Sequence, residues 1–114
     1  MAIKKDNPLL PKEMPENITV PELERWLELY AQEIFPMPKV SFGGAVRRAE
    51  ALRECVKIVF KLQAGNVNDL IIILKRHLGL TARKIREDYL TDLVESGVIR
   101  ANSPNWEYKG KRPE

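Results

Sequence analysis

The chain has one cysteine, one histidine and no unbroken apolar run longer than Leu70–Leu74. A lone Cys55 excludes an intrachain disulfide and any cysteine-rich zinc site. A lone His77 excludes a histidine-rich metal centre. It leaves carboxylates, Lys and Tyr as the acid–base repertoire. There is no phosphate loop, nucleophile elbow, metal cluster or cofactor fingerprint. The expectation is a protein that is not an enzyme, with no cofactor and no metal. Leu70–Leu74 is far too short to span a bilayer. Met1–Pro8 has no apolar h-region of the secretory kind. These absences point to a soluble, cytoplasmic chain.

What remains is modest in size and charge. A chain of 114 residues suits one domain, and 44% apolar residues suffice for one core. That apolar share is too high for a disordered chain. The net charge of +3 decides little until it is resolved along the sequence. Residues 1–44 carry −2 and residues 45–114 carry +5. An acidic front end thus precedes a moderately basic body, a balance compatible with nucleic acid but not specific to it.

Pro8, Pro11 and Pro15 forbid a regular helix near the start, so residues 1–18 read as an extended arm. Thr19 and Glu22 then form a capping box with Pro21 in the first turn. The spacing of Leu23, Trp26, Leu27, Tyr30 and Ile34 predicts a helix over about 20–35, ended by Pro36 and Pro38. Gly43-Gly44 reads as a turn or flexible connector. A second helix is expected over about 45–64, with Val46, Ala49, Leu52, Val56, Val59 and Phe60 as its apolar stripe and Gly65 as its stop. Asn66 can cap a third helix over 67–78, which is apolar almost all round and reads as central and buried. Gly79 ends it. Thr81 caps a fourth helix over 82–96, with Ile85, Tyr89, Leu90, Leu93 and Val94 facing the core. After Gly97, residues 98–101 and 106–108 read as strands joined by a turn at Asn102-Ser103-Pro104-Asn105. Trp106 and Tyr108 alternate with Glu107, so both fall on one strand face and are expected to pack under the hairpin.

Three helices followed by a hairpin form the order of the winged helix-turn-helix superfamily. Gly79-Leu80-Thr81 supplies the tight turn. Ile85, Tyr89-Leu90, Leu93-Val94, Gly97 and Val98-Ile99 resemble a recognition helix running into the first wing strand. The resemblance covers residues 45–109 and is to small prokaryotic and archaeal regulators of that type. It implies a mainly α fold with a small β-hairpin; the N-terminal arm and accessory helix over 1–44 and the basic tail over 110–114 are additions outside the family pattern. It also implies a duplex DNA-binding protein, a transcriptional regulator, with its recognition helix (about 82–96) in the major groove and its wing (about 98–108) alongside.

The charges suit that reading. From Lys75 to Arg86 there are five Lys or Arg residues and no Asp or Glu. Arg83, Lys84 and Arg86 fall in the first turns of the recognition helix, where they can meet phosphates or, for the arginines, guanine edges. Thr81 at the helix start and Arg76 before the turn are expected on phosphates. Arg100, Lys109 and Lys111 flank the wing and are expected to follow the backbone.

Other features weigh against it. Glu87, Asp88, Asp92 and Glu95 make the same helix acidic beyond Arg86, and a phosphate wall would repel them. The competing reading is a winged-helix subunit of a nucleic-acid-processing complex that contacts protein rather than DNA. A third reading, single-stranded nucleic acid, requires exposed aromatics. Cys55 reads as a buried thiol and His77 as a half-buried structural histidine. The helix over 20–35 is acidic on its polar side. Its Leu23, Trp26, Leu27, Tyr30 and Ile34 are expected to contact a second copy or another protein, with a homodimer favoured because isologous dimers are the commonest oligomers.

Overall fold

The computed structural model describes residues 18–39 and 43–113. The N-terminal arm expected over residues 1–18 lies outside them, apart from Ile18. The protein is mainly helical with a small three-stranded antiparallel sheet.

Helix α1 (Val20–Ile34) opens on the expected capping box. The Glu22 backbone N–H donates to Thr19 Oγ1 at 3.3 Å, and the Thr19 N–H donates to Glu22 Oε1 at 3.0 Å. Helix α2 (Gly43–Leu62) starts at the two glycines, so these are its first turn and not a connector. Ion pairs Lys57–Glu28 (2.5 Å) and Lys61–Glu24 (3.2 Å) run along the α1–α2 contact with opposite chain sense, so the two helices are antiparallel. Arg53 Nε donates to the Phe35 carbonyl at 2.7 Å, tying the chain just past α1 to α2.

The end of α2 departs from the sequence reading. Gln63 takes the left-handed conformation (φ 71°) that stops the helix, a role expected of Gly65. Its N–H donates to the Val59 carbonyl at 2.8 Å, and its carbonyl accepts from the Tyr108 N–H at 2.7 Å. The chain then enters a strand the sequence reading lacked, β1 (Ala64–Asn66). Gly65 lies opposite Trp106 in the register, and a Cβ placed on it would stand 3.3 Å from the indole Nε1. The glycine thus serves a close approach of the Trp106 ring.

Helix α3 (Val67–Leu78) is capped by Asn66, whose Oδ1 accepts from the Asn68 and Asp69 N–H groups at 2.8 and 3.3 Å. Gly79 (φ 71°) closes it. The helix buries one face only, through Leu70, Ile71 and Leu74. Ile72 and Ile73 are exposed at 52% and 39%, which corrects the expectation of a helix buried all round.

A helical rod follows: α4 (Ala82–Lys84), a π-helical segment (Ile85–Tyr89) and α5 (Leu90–Glu95). The Leu90 N–H bonds to the Ile85 carbonyl, five residues back, so Leu90 lies one wide turn beyond Ile85 and joins it on the buried side. Val94, expected to face the core, is 42% exposed, because it lies one helical step past the fully buried Leu93, at the edge of the buried side. Strands β2 (Ile99–Asn102) and β3 (Asn105–Tyr108) complete a sheet of order β1-β3-β2.

One buried cluster unites these elements. Phe60, Val56, Val59 and Cys55 of α2 meet Leu27 and Tyr30 of α1, Ile85 and Leu93 of the rod, and Trp106 and Tyr108 of β3. Helix α1 therefore belongs to the same core as residues 45–109, and no boundary at residue 44 divides the packing. Trp26 stacks on Tyr30 (5.2 Å), and the Phe60 and Tyr108 rings meet edge to face at 5.2 Å.

Burial pushes the Cys55 thiol up to about 12, with the Glu54 charge adding to the effect. Cys55 should therefore resist a thiol reagent in the native protein and react fully in denaturant; rapid native labelling would contradict this packing. A Cβ on Gly110 would overlap the Tyr30 hydroxyl and stand 2.7 Å from that of Tyr108. Gly110→Ala should destabilise by about 1–3 kcal/mol, read as a lower melting temperature.

Candidate nucleic-acid interface

The tight turn and the rod bring the expected basic residues onto adjoining surface, and the structure sorts them by partner. Thr81 Oγ1 accepts from the Lys84 N–H at 3.1 Å, so its hydroxyl caps the rod. Arg83 is 83% exposed but its Nε lies 3.0 Å from Glu87. Lys84 Nζ lies 3.4 Å from Asp88. Lys75, Arg76 and Arg86 are exposed and form no ion pair among the described residues. The first turns of the rod also hold a depression lined by Thr81, Arg83, Lys84, Glu87 and Asp88.

The cations expected around the hairpin divide. Arg100 is exposed on β2, in register with Glu107 of β3 and adjoining Lys109, whose Nζ is 3.5 Å from Glu107. Lys111 is elsewhere. Its backbone N–H donates to Tyr30 Oη at 3.0 Å, its carbonyl accepts from the Tyr108 hydroxyl, and its Nζ lies 3.4 Å from Glu33. Arg112 follows, donating to Gln63 Oε1 at 2.8 Å with its guanidinium over the Tyr108 ring. The expected basic tail is thus a strap across α1 and the end of α2, and Lys111 does not join the cations of the turn. Burial drives the Tyr108 hydroxyl strongly upward, so it stays protonated as the donor in this strap.

The residues expected to meet a second copy are largely used within the chain. Leu23, Leu27 and Tyr30 are buried, and Trp26 and Ile34 pack against the same core. Periodicity shows that this face is buried but not against what, and here α2 covers it.

Arg48 is the residue the sequence reading missed. It lies on α2, 40 residues before Asp88, and spacing gave no sign that the two meet. Its Nη1 is 2.9 Å from Asp88 Oδ2 and its Nη2 donates to Asp88 Oδ1 at 3.2 Å, a fork on a carboxylate. Nη2 also bonds Asp92, and the guanidinium carbon stands 4.9 Å from the Tyr89 ring centroid. The Arg48 hydrogen bond holds the Asp88 carboxyl below its ordinary 3.8. Partial burial works against the Arg48 charge, but the two aspartates outweigh it and raise its pKa. Asp88 and Asp92, two of the four carboxylates that argued against a DNA-facing rod, are therefore paired with Arg48 of α2 and Lys84 of the rod, and Glu87 is matched by Arg83. Glu95 alone stands without an ion pair among the described residues.

The described residues hold no group of His, Cys, Asp and Glu arranged to bind a metal, and none of their helices is long and apolar enough to cross a membrane. His77 is half exposed, 3.4 Å from Glu54. No protein-family model matches the chain, and neither a curated protein nor a solved structure matches it.

Because the Asp88 pKa is depressed, its contribution to stability is present above about pH 4 and is lost as the pH falls through the folded value. Acid melting curves should therefore show a steeper loss for the natural chain than for Asp88→Asn; parallel curves would contradict the Arg48 contact.

Proposed function

We propose that the chain is a winged helix-turn-helix protein that binds duplex DNA, with the rod from Ala82 to Glu95 as its recognition helix and β2–β3 as its wing. The carrying observation is the order α2, β1, α3, rod, β2, β3, in which β1 closes onto β3 and leaves the rod with an exposed side beside a hairpin. A helix of this kind fits the major groove. The exposed, uncompensated Lys75, Arg76 and Arg86 support the reading, since such cations meet phosphates or base edges without first breaking an ion pair. Arg100 extends the basic surface to the wing. Arg83 and Lys84 exchange Glu87 and Asp88 for phosphate on binding. Use as a transcriptional regulator follows from the resemblance of the elements and carries no effector site with it.

A second reading, a winged-helix subunit that docks on protein, is favoured by the exposed Ile72, Ile73 and Val94. It predicts a stoichiometric partner and no DNA shift. The DNA reading predicts binding of a mixed-sequence duplex at 50 mM salt, with affinity falling steeply as salt rises. Under it, Arg86→Ala weakens binding and lowers the salt slope by about one if the contact is to phosphate, or costs about 1–3 kcal/mol with relaxed specificity if it reads a base. Absence of any anisotropy change at 50 mM salt sinks it.

A further inference from the structure

We propose that Arg48 is a positioning residue of the DNA interface: from α2 it holds Asp88 and Asp92 and, together with Lys84, balances their charge, so that the rod does not present them to DNA as net acid. The inference rests on the DNA reading above and adds a residue outside the helix-turn-helix segment.

The geometry makes the case. Asp88 and Asp92 are four residues apart and both meet one guanidinium, which also lies over the ring of Tyr89 between them. Three requirements fall on one side chain: a positive charge between two carboxylates, a planar fork for Asp88, and a flat face for an aromatic ring. Only arginine meets all three, because lysine offers a point charge with no plane. The contact spans the π-helical segment, where the Leu90 N–H reaches back to Ile85. That segment has a backbone ladder less regular than an α-helix, and an anchor on Asp88, Tyr89 and Asp92 holds its C-terminal part and the turn that follows. The side-chain exposures, 32% for Arg48, 41% for Asp88 and 28% for Asp92, leave the group in contact with water, so it remains sensitive to the charge around it.

Without Arg48 the rod bears two carboxylates with only Lys84, 3.4 Å from Asp88, to offset them. Beside a phosphate backbone that charge repels. Arg48 need not touch DNA to govern affinity, and its effect runs through the two aspartates.

The test is a set of variants titrated with a labelled duplex by fluorescence anisotropy over a salt series, each checked by thermal melting. Arg48→Ala should weaken binding about tenfold or more, because two like charges are exposed to the phosphates. Arg48→Lys should fall between, keeping the charge and losing the fork and stacking. The combination of Arg48→Ala with Asp88→Asn and Asp92→Asn should recover most of the lost affinity, although the guanidinium is still missing. A packing role alone would leave that triple variant as weak as Arg48→Ala. Asp88→Asn with Asp92→Asn in the presence of Arg48 should bind a few-fold tighter than the natural chain, since it frees both Arg48 and Lys84. This last arm stands even if Arg48→Ala does not fold. Binding by the natural chain that is unchanged in Arg48→Ala, or a double aspartate variant that binds more weakly, overturns the inference and spares the DNA reading. No binding by the natural chain overturns both.

Discussion

The fold depends on one helix being buried from several sides. Helix α2 carries Cys55, Val56, Val59 and Phe60 on one broad stripe, all essentially inaccessible to solvent, and several elements share in covering it. One flank is covered by α1, another by the rod, and Phe60 reaches the sheet at Tyr108. Neither α1 nor the hairpin has a hydrophobic partner of its own apart from α2 and the elements it gathers. A small domain whose core is organised about one helix gains its cooperativity from that helix, because loosening any flank exposes part of the same buried set. The strap at residues 109–113 fits this view. It joins Tyr30 of α1 to Tyr108 of β3 over Gly110, holding two of the covering elements to each other.

The same helix governs the electrostatics. Its Lys57 and Lys61 answer the acids of α1, and its Arg48 answers those of the rod. An exposed ion pair contributes little to stability, about 0–1 kcal/mol. The value of these pairs lies in what they leave uncovered. Where acid meets base across an element contact, the surface beyond becomes neutral. Where no ion pair forms among the described residues, as at Lys75, Arg76 and Arg86, the positive charge remains open to solvent. Three such cations, Lys75, Arg76 and Arg86, lie on either side of the tight turn.

Local chemistry was legible in the sequence, and long-range chemistry was not. Thr19, Asn66, Gly79 and Thr81 act at the helix ends where their residue types place them, because capping is settled within four residues. The packing of Trp106 and Tyr108 followed from strand alternation. Strand β1 escaped notice because three residues of Ala, Gly and Asn have no strand propensity, and only pairing with β3 makes them a strand. Gln63 escaped because its left-handed conformation is held by tertiary hydrogen bonds, where a glycine would need none. Charge counting found the basic stretch but could not foresee that Asp88 and Asp92 turn to Arg48, 40 residues away in the chain.

The π-helical segment links these two themes. In a regular α-helix Ile85 and Leu90 are five residues apart and point in different directions, so the core could take one but not both in the same position. Widening one turn brings Leu90 beneath Ile85. Burial of Ile85, Tyr89 and Leu90 favours that change, and the Arg48 guanidinium on Asp88, Tyr89 and Asp92 braces the same segment from outside. Burial of Leu90 and neutralisation of the two aspartates are then outcomes of one local distortion. Hydrophobic packing on one side of the rod and charge balance on its flank are set together, and the residue that couples them lies on the central helix.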